Sequence, residues 1–479
     1  MRRIMSPSRP SVSRLPYYTA FRKNPPPWII TILLLAGMVF FETQRKESVE
    51  KPEIISYSII TMAEEELLRM EAPWGLDTLL EWNSRSETVL HLFQEAEDRG
   101  HLGVYALRKA VTELELGKPE QARKTARALE PSNPALAGFV TASLDGKPIS
   151  KPLQAGMRAY VNRLPASWWT WKIAQRAGLA EEFADKERLL MERANSIRAA
   201  RVKVAGVKLA LLLAALFGLP LLWRQMRRGL PGVTLRPPPG FPSMAKVVLG
   251  AFAIGSLACT LLYLLMPPLL RLWFIPALKA MSPGTMRVIF TVTSMILILD
   301  LPVVLEAWLM GRLCHGRLRL AFRYAGARLR DVFHWRTFLT GAALLLLIYV
   351  VRLASQLVLS GLGIRSTYLD FLSRFDPNSG PVVNIIVAVL YCIAAPVTEE
   401  IIYRGYLLQG LKDRFGFWPT ALLSSGVFSA MHHYSAPGTV DTFFFGLILC
   451  AVMHRTGKLS LCIMAHFLWN FIVTLNALF

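Results

Sequence analysis

Long apolar runs alternate with short polar loops over most of the chain, and one long polar region interrupts them. The apolar runs lie at about 28–41, 202–223, 244–268, 285–311, 337–359, 382–410, 417–432, 440–453 and 459–479. A helix of about 20 apolar residues crosses the hydrocarbon core of a bilayer. The pattern predicts an all-α polytopic integral membrane protein with about eight or nine transmembrane helices. The runs at 417–432 and 440–453 are short, which favours a broken or re-entrant arrangement there.

The polar region covers residues 44–200 and shows helical periodicity. The stretch 113–134 predicts a turn, an amphipathic helix and a second turn, with Ala122, Ala126 and Leu129 on one helix face. This stretch is similar to the second helix of a tetratricopeptide-type repeat, although no second copy is evident. The sequence therefore predicts an inserted soluble helical domain, either tetratricopeptide-like or an irregular small helical fold.

Composition and charge support the membrane interpretation. The 479 residues are 53% hydrophobic and carry a net charge of +21. Most acidic residues lie in the polar region, where basic residues nearly balance them, and the excess of Lys and Arg lies in short loops between apolar runs. Basic loops of this kind mark the cytoplasmic side of a membrane protein rather than a nucleic-acid surface. We therefore expect a cytoplasmic N-terminus, an extracytoplasmic polar region and no nucleic-acid partner.

These features divide the chain into four parts. Residues 1–43 form a basic cytoplasmic N-terminus with a first anchor, and residues 44–200 form the extracytoplasmic helical domain. Residues 201–339 contain transmembrane helices with basic cytoplasmic loops, and residues 340–479 form a C-terminal membrane domain. The first anchor is similar to a secretory signal peptide but no small-residue cleavage site follows it. We interpret it as an uncleaved anchor and expect the protein in a bacterial inner membrane.

Polar and ionisable side chains lie inside the apolar runs of the last part. Six of them form the candidate site: Glu399, Glu400, Arg404, His432, His466 and Asn470. A charged side chain in the middle of a membrane costs about 3 kcal/mol or more, so such residues usually serve a function. On a helix, Glu400 and Arg404 can form an i,i+4 pair, and Glu399 points about 100° away from them toward a cavity.

This set of residues permits hydrolysis of a peptide bond by an activated water molecule. A carboxylate in a site of low dielectric constant can take a proton from water, and a histidine can hold that water. A second histidine and an Asn amide can donate to the oxyanion that develops. A serine or cysteine nucleophile is not predicted, because no GxSxG motif occurs and Cys392 has no adjacent histidine.

Three motifs in these runs resemble those of a known family. EEIIYR at 399–404 matches the motif EExxxR, FSAMH at 428–432 matches FxxxH, and HFLWN at 466–470 matches HxxxN. Their order in a C-terminal membrane domain resembles the CPBP family, which contains the type II CAAX prenyl endopeptidases and Abi-like bacteriocin-processing or bacteriocin-immunity proteins. The resemblance covers about residues 340–479 and says nothing of residues 1–200.

The resemblance implies three roles for the six residues: water activation by Glu399 and His432, an oxyanion hole of His466 and Asn470, and support of the site by Glu400 and Arg404. The family is commonly described as metalloproteases, so two mechanisms stay open. A metal-free glutamate mechanism that requires no cofactor is favoured. The alternative is a zinc site made of Glu399, His432 and His466.

The sequence therefore predicts an intramembrane endopeptidase, a hydrolase that cleaves membrane-associated or lipidated peptides and proteins. Prenylated CAAX proteins are the expected substrates only for a eukaryotic source. Its further partners are the lipid bilayer and a protein that docks on residues 44–200. One alternative is a non-catalytic membrane scaffold or bacteriocin-immunity-type factor of the same family. A second alternative is a transporter with Asp300, Glu306 and Glu399 as a proton path, which lacks the expected internal repeat.

Overall fold

The part of the chain that the structure describes is entirely helical apart from its turns and loops. The structure is a computed structural model that describes residues 63–64, 66–68, 70, 85–98, 105–228, 252, 329–362, 364, 381–432, 434 and 436–478. Over these residues the elements are helices, and no strand occurs among them. The predicted all-α fold class is therefore confirmed.

Six short helices precede the membrane-spanning part. They are α1 (Arg85–Asp98), α2 (Ala106–Glu115), α3 (Pro119–Leu129), α4 (Pro134–Leu144), α5 (Lys151–Arg163) and α6 (Trp168–Arg176). Each helix from α1 to α6 packs against the next one along the chain. In addition, α2 packs against α4. The amphipathic helix predicted in the stretch 113–134 is α3, and Ala122, Ala126 and Leu129 are buried on it as expected.

Local sequence signals explain where these short helices begin. Pro119 is at the start of α3, where the absence of its N–H costs no helical hydrogen bond. The side chain of Asn133 accepts a hydrogen bond from the backbone N–H of Leu136 and so caps α4. Ser167 and Thr170 form a reciprocal capping box at the start of α6.

A single helix, α7 (Ala184–Arg228), joins the polar region to the membrane region. Its 45 residues extend about 68 Å at 1.5 Å per residue. Near its start Leu190 packs in the core of the short helices, and near its end Leu211 and Ala215 pack in the membrane core. The predicted division at residues 200 and 201 therefore lies inside one continuous helix rather than in a linker.

Among the residues that the structure describes, five further helices form the membrane region. They are α8 (Trp335–Gly361), α9 (from Pro381 to Phe415), α10 (Phe417–Ala430), α11 (Ala436–Thr456) and α12 (Leu459–Leu478). Within the described residues, α7, α8, α9, α11 and α12 are long and apolar enough to cross a membrane. The chain is therefore an integral membrane protein.

The run at 440–453 belongs to a longer helix than the sequence indicated. Helix α11 has 21 residues, because it extends beyond the apolar run at both ends, from Ala436 to Thr456. The hydroxyl of Thr442 donates back to the carbonyl of Gly438, and Asp441 is held by side chains of α8, so both fit inside a membrane helix. The run at 417–432 corresponds to α10, which is 14 residues long.

Several sequence predictions lie outside the described residues. These are the first anchor at 28–41 and the apolar runs at 244–268 and 285–311. The total of eight or nine transmembrane helices and the division into four parts therefore stay predictions.

Glycines allow the closest helix contacts in the membrane region. A Cβ atom on Gly218 of α7 would lie 1.9 Å from the backbone oxygen of Leu339 in α8, so these two helices touch through their backbones. A Cβ on Gly341 would lie 2.6 Å from the side chain of Met464 in α12. Gly416, with φ of +83°, makes the turn between α9 and α10, a conformation that L-residues with a side chain rarely adopt.

Candidate functional site

Helix α9 carries the two adjacent glutamates between two stretches of π-helix. The segments Leu390–Ala394 and Ile401–Leu408 are π-helical, and Ala395–Glu400 between them is α-helical. Pro396 has no backbone N–H and so leaves the carbonyl of Cys392 without its usual partner, which explains the first π segment. π-Helical turns are rare and frequently occur at functional sites.

Glu400 is fully buried and accepts two hydrogen bonds on the same oxygen. Arg404 Nη1 lies 2.9 Å from Glu400 Oε1, so the predicted i,i+4 pair is present. His466 Nδ1 of α12 also lies 2.9 Å from Glu400 Oε1. The guanidinium of Arg404 lies over the ring of Phe428, 4.3 Å from its centre, which adds a cation–π contact. Glu400 therefore joins α9 to α12 as well as to its own helix.

Glu399 faces the two histidines. Its Oε2 atom lies 3.9 Å from His432 Nε2 and 3.8 Å from His466 Nε2. Both separations are too long for a direct hydrogen bond. The structure thus brings together the three residues to which the sequence assigned the main chemistry, although 67 residues separate the first from the last.

The spacing of the FxxxH motif orients His432. Its Nδ1 atom lies 2.7 Å from the backbone oxygen of Phe428, four residues earlier on the helix. Because a carbonyl only accepts hydrogen bonds, Nδ1 carries the hydrogen, and the lone pair of the neutral ring is on Nε2. His466 Nδ1 likewise carries a hydrogen, because it lies against the Glu400 carboxylate, which only accepts.

Asn470 lies one turn after His466 on the same face of α12. Its Nδ2 atom donates to the backbone oxygen of Tyr391 at 2.8 Å, in the first π segment of α9. One N–H of the amide therefore fixes α12 against α9, and the second N–H is the one that an oxyanion role would use. The role of Tyr391 has no signal in the sequence, because it depends on a backbone carbonyl.

A second polar cluster, which the sequence analysis did not identify, holds α8 against α11. Asp441 Oδ2 accepts from Arg352 Nε at 3.1 Å and from Gln356 Nε2 at 3.1 Å, and Asp441 Oδ1 accepts from Ser355 Oγ at 2.6 Å. The guanidinium of Arg352 lies 5.2 Å from the ring centre of Trp469, which is next to Asn470. An acid in the run at 440–453 and an Arg in the run at 337–359 are the signals that could have found it.

The zinc alternative concerns Glu399, His432 and His466. Zinc sites need three or more ligands within about 2.0–2.3 Å of one ion. Among the residues that the structure describes, no group of three His, Cys, Asp or Glu side chains is arranged to hold a metal ion. The metal-free mechanism and the zinc site of Glu399, His432 and His466 both stay predictions, and the chemistry is derived below from the side chains alone.

Comparison with known proteins identifies the family of the C-terminal region. Residues 381–472 match the family described as "Rce1-like: Type II CAAX prenyl endopeptidase Rce1-like". The matched range contains all six predicted site residues. No curated protein and no solved structure matches the chain. The recognition of a CPBP-type intramembrane protease domain is therefore confirmed.

Proposed function

Because residues 381–472 are an Rce1-like type II CAAX prenyl endopeptidase domain in an integral membrane protein, we propose that the chain is an intramembrane endopeptidase. Its substrates are membrane-associated or lipidated peptides and proteins, and its setting is a bacterial inner membrane with the N-terminus in the cytoplasm. The observation that carries the proposal is the convergence of Glu399 with the Nε2 atoms of His432 and His466 among apolar helices.

The first step of the proposed reaction is the activation of water by Glu399 and His432. The 3.9 Å between Glu399 Oε2 and His432 Nε2 is a separation at which one water molecule can bridge two acceptors. Such a water donates one hydrogen to the carboxylate and the other to the lone pair on His432 Nε2. Glu399 then takes the first proton while the water oxygen attacks the carbon of the scissile peptide bond.

The second step is stabilisation of the oxyanion by His466 and Asn470. His466 donates through Nδ1 to Glu400, so it can donate through Nε2 only as the doubly protonated imidazolium. This form balances the charges of the site, since two carboxylates then face one imidazolium and one guanidinium. The second N–H of Asn470 completes a pair of donors that a tetrahedral intermediate requires.

The third step breaks the carbon–nitrogen bond. The proton that Glu399 took from water moves to the nitrogen of the leaving amine, and the oxyanion collapses to a carboxylic acid. This acid keeps the second hydrogen of the water and releases it to solvent as it ionises. Glu399 is ionised again at the end, so it acts as base and then as acid in one turnover. The proton balance closes with Glu399, one water and solvent, and the mechanism that we propose uses no metal cofactor.

The surroundings of the site suit a substrate that enters from the lipid. The outward side chains of the membrane helices are apolar, for example Ile385 of α9 and Val358 of α8. A hydrophobic chain attached to a peptide can lie against such a surface while the peptide reaches Glu399 between the helices. Residues 44–200, continuous with α7, are the surface that we propose for a partner protein.

The test is cleavage by the purified full-length protein in lipid nanodiscs. Wild type, Glu399→Gln and Asp413→Asn are incubated with a panel of lipidated peptides and with proteins extracted from membranes, and the new termini are identified by mass spectrometry. Asp413 is an exposed carboxylate near the end of the same helix and serves as the matched control. We expect cleavage by wild type and by Asp413→Asn, and none by Glu399→Gln at equal folded amount.

The contrary outcomes separate the alternatives. Absence of cleavage by all three proteins, with a biological activity that survives Glu399→Gln, would favour the membrane scaffold or immunity-type factor. Bound zinc in stoichiometric amount, lost together with activity in Glu399→Gln, would replace the metal-free mechanism with the metalloprotease alternative.

A further inference from the structure

A row of buried polar atoms extends along α9 from Glu400 toward the end of the helix. Glu400 Oε2, Arg404 Nε and Nη2, and both side-chain amide atoms of Gln409 have no hydrogen-bond partner among the described residues. The three residues are 0%, 0% and 2% exposed. An unsatisfied buried polar group costs about 1–3 kcal/mol, and a charged group costs more. These five atoms therefore require a partner that the described side chains do not supply.

The π-helical segment Ile401–Leu408 is what aligns the three residues. In a continuous α-helix, Glu400 and Gln409 are nine positions or about two and a half turns apart, so their side chains would lie on opposite sides. In a π-helix the hydrogen bonds run from residue i to i+5, and each turn takes up more than four residues. Arg404 follows Glu400 by four positions, and Gln409 follows Arg404 by five. The three side chains therefore lie along one side of α9.

Small and weakly polar residues of α10 and α11 lie beside this row. A Cβ on Gly446 would lie 3.1 Å from Arg404 Nη2 and 3.1 Å from the Cβ of Ser425, so glycine lets α11 pack closely against both residues. One turn later on α11, Cys450 Sγ lies 3.8 Å from Ser425 Oγ. Serine and cysteine here place hydrogen-bonding groups beside the row, where leucine would offer none.

We propose that α9, α10 and α11 enclose an internal file of water molecules between Glu400 and Gln409. The row offers acceptors, Glu400 Oε2 and Gln409 Oε1, and donors, Arg404 Nε and Nη2 and Gln409 Nε2. A buried water makes about three hydrogen bonds, as donor and as acceptor, which this mixed set provides. An anion would be repelled by the Glu400 carboxylate and a cation by the Arg404 guanidinium, whereas water is compatible with both.

The file connects the site with the polar end of α9. Lys412 is half-buried and Asp413 and Arg414 are exposed, all within about two turns after Gln409. At the other end, Glu400 bonds to His466 and is next to Glu399. Peptide hydrolysis consumes one water for each bond. Resting on the proposed function, we assign the file the supply of that water from the Lys412 side.

The file is tested by radiolytic hydroxyl labelling of the full-length protein in nanodiscs, in water enriched in ¹⁸O. Internal water generates radicals that label buried neighbours, and sulfur side chains react readily. Cys450 beside the row is 0% exposed, and Met157 in the core of the short helices is 2% exposed and is the control. We expect ¹⁸O on Cys450 and not on Met157. A wild-type Cys450 as unlabelled as Met157 would overturn the file.

Two variants locate the water. Gln409→Leu removes the amide with little change in volume, and we expect the label on Cys450 to fall to the level of Met157. Gly446→Ala crowds Arg404 Nη2 from the other helix and is expected to reduce the label as well. Undiminished label in both folded variants would overturn the assignment of the water to this row. General unfolding of either variant is detected by label on Met157. In that case the other variant decides whether the water lies along this row.

The role in supplying water is tested by kinetics. In Gln409→Leu we expect kcat to fall several-fold with KM unchanged, because the variant removes neither substrate contacts nor Glu399. An unchanged kcat together with a lost Cys450 label would overturn the supply role. Labelled Cys450 in a wild-type protein without peptidase activity would count against the proposed function and leave the file intact.

Discussion

The helical region at residues 105–200 and the membrane region at residues 335–478 place their charges in opposite ways. The first buries Trp169 and Phe139 and leaves most of its Lys, Arg and Glu side chains at the surface. The second buries Glu400 and Arg404 completely and exposes large apolar residues such as Trp418, at 63%. Each region hides what its surroundings do not solvate, so the surroundings of the second region are lipid.

The ion pairs of the two regions show what this difference means energetically. Arg158 and Glu182 of the helical region pair at 2.8 Å with both side chains more than 40% exposed. Such pairs contribute about 0–1 kcal/mol, because water competes for both partners. The side chains of Glu400 and Arg404 are both 0% exposed, so each charge depends on the other, on His466 and on the internal water proposed above. Polar groups in the membrane region are thus few, connected and essential to one another.

The largest effect that we expect comes from a change at the catalytic histidine. His432→Ala removes the group that holds the attacking water, and the rate of cleavage should fall about 10²- to 10⁴-fold. His454→Ala is the matched control. His454 lies near the end of α11, stacks on Phe417 at the start of α10 and has no contact with Glu399. Initial rates at equal folded amount check this, and equal losses in both variants would contradict the assignment.

The second effect concerns stability and separates the two kinds of ion pair. Arg404→Met leaves the Glu400 carboxylate buried with one partner fewer, which should lower the free energy of unfolding by about 3–5 kcal/mol. Arg158→Met in the exposed pair should lower it by about 1 kcal/mol or less. Unfolding by denaturant in a mild detergent measures both.

A rescue variant sharpens this comparison. Replacing both members of the buried pair, in Glu400→Gln with Arg404→Met, should recover part of the stability that Arg404→Met loses, because no buried charge then lacks its partner. Equal losses for Arg404→Met and Arg158→Met would show that the two regions do not differ as described.

The third effect concerns the contact that joins the long helix α7 to the membrane region. Gly218→Ala places a Cβ against the backbone of Leu339 and should cost about 1–3 kcal/mol through overpacking. Gly206→Ala on the same helix is the control, since no atom lies within 4 Å of the added Cβ and alanine favours helix. Thermal unfolding of both variants in nanodiscs measures the difference, and equal melting temperatures would argue against the close contact.

The smallest effect is a pH dependence within the helical region. Burial raises the pKa of Glu113 above its usual 4.5, despite the hydrogen bond from Thr125 and the charge of Lys109. The folded state therefore keeps this proton at pH values at which the unfolded chain has lost it. The contribution to stability is fully present below pH 4.5 and is lost as pH rises through the folded-state pKa.

Hydrogen exchange of the segment α2–α3 in the full-length protein measures this contribution, after correction for the intrinsic pH dependence of exchange. Glu113→Gln keeps the contact with Thr125. It should abolish the fall in protection from exchange that accompanies a rise in pH above 4.5. A slope that is unchanged in Glu113→Gln would assign the pH dependence to another group.

The sequence predicted the parts of the fold and site that depend on local spacing. Apolar runs predicted α8, α9 and α12, amphipathic spacing predicted α3, and the i,i+4 rule predicted the pair of Glu400 with Arg404. The catalytic roles of Glu399, His432, His466 and Asn470 stay predictions that the geometry is consistent with.

What the sequence did not predict depends on contacts between distant segments. The bond of Glu400 to His466 joins residues 66 positions apart, and the bond of Asn470 to Tyr391 uses a backbone carbonyl. The second π segment of α9 contains no proline, so periodicity gave no sign of it. The length of α11 was underestimated because the apolar run left out residues 436–439 and 454–456, which are less apolar but continue the helix at both ends.

Single-turnover cleavage in ¹⁸O-enriched water tests the central claim most directly, namely that Glu399 activates water rather than attacking the peptide itself. The full-length enzyme is mixed in excess with an intact substrate that it is known to cleave, and the reaction is stopped after one turnover. The product and the α9 peptide that contains Glu399 are then analysed by mass spectrometry. The account predicts one ¹⁸O atom in the new carboxylate of the product and none in Glu399. A product that carries only ¹⁶O, with ¹⁸O appearing in Glu399, would contradict it.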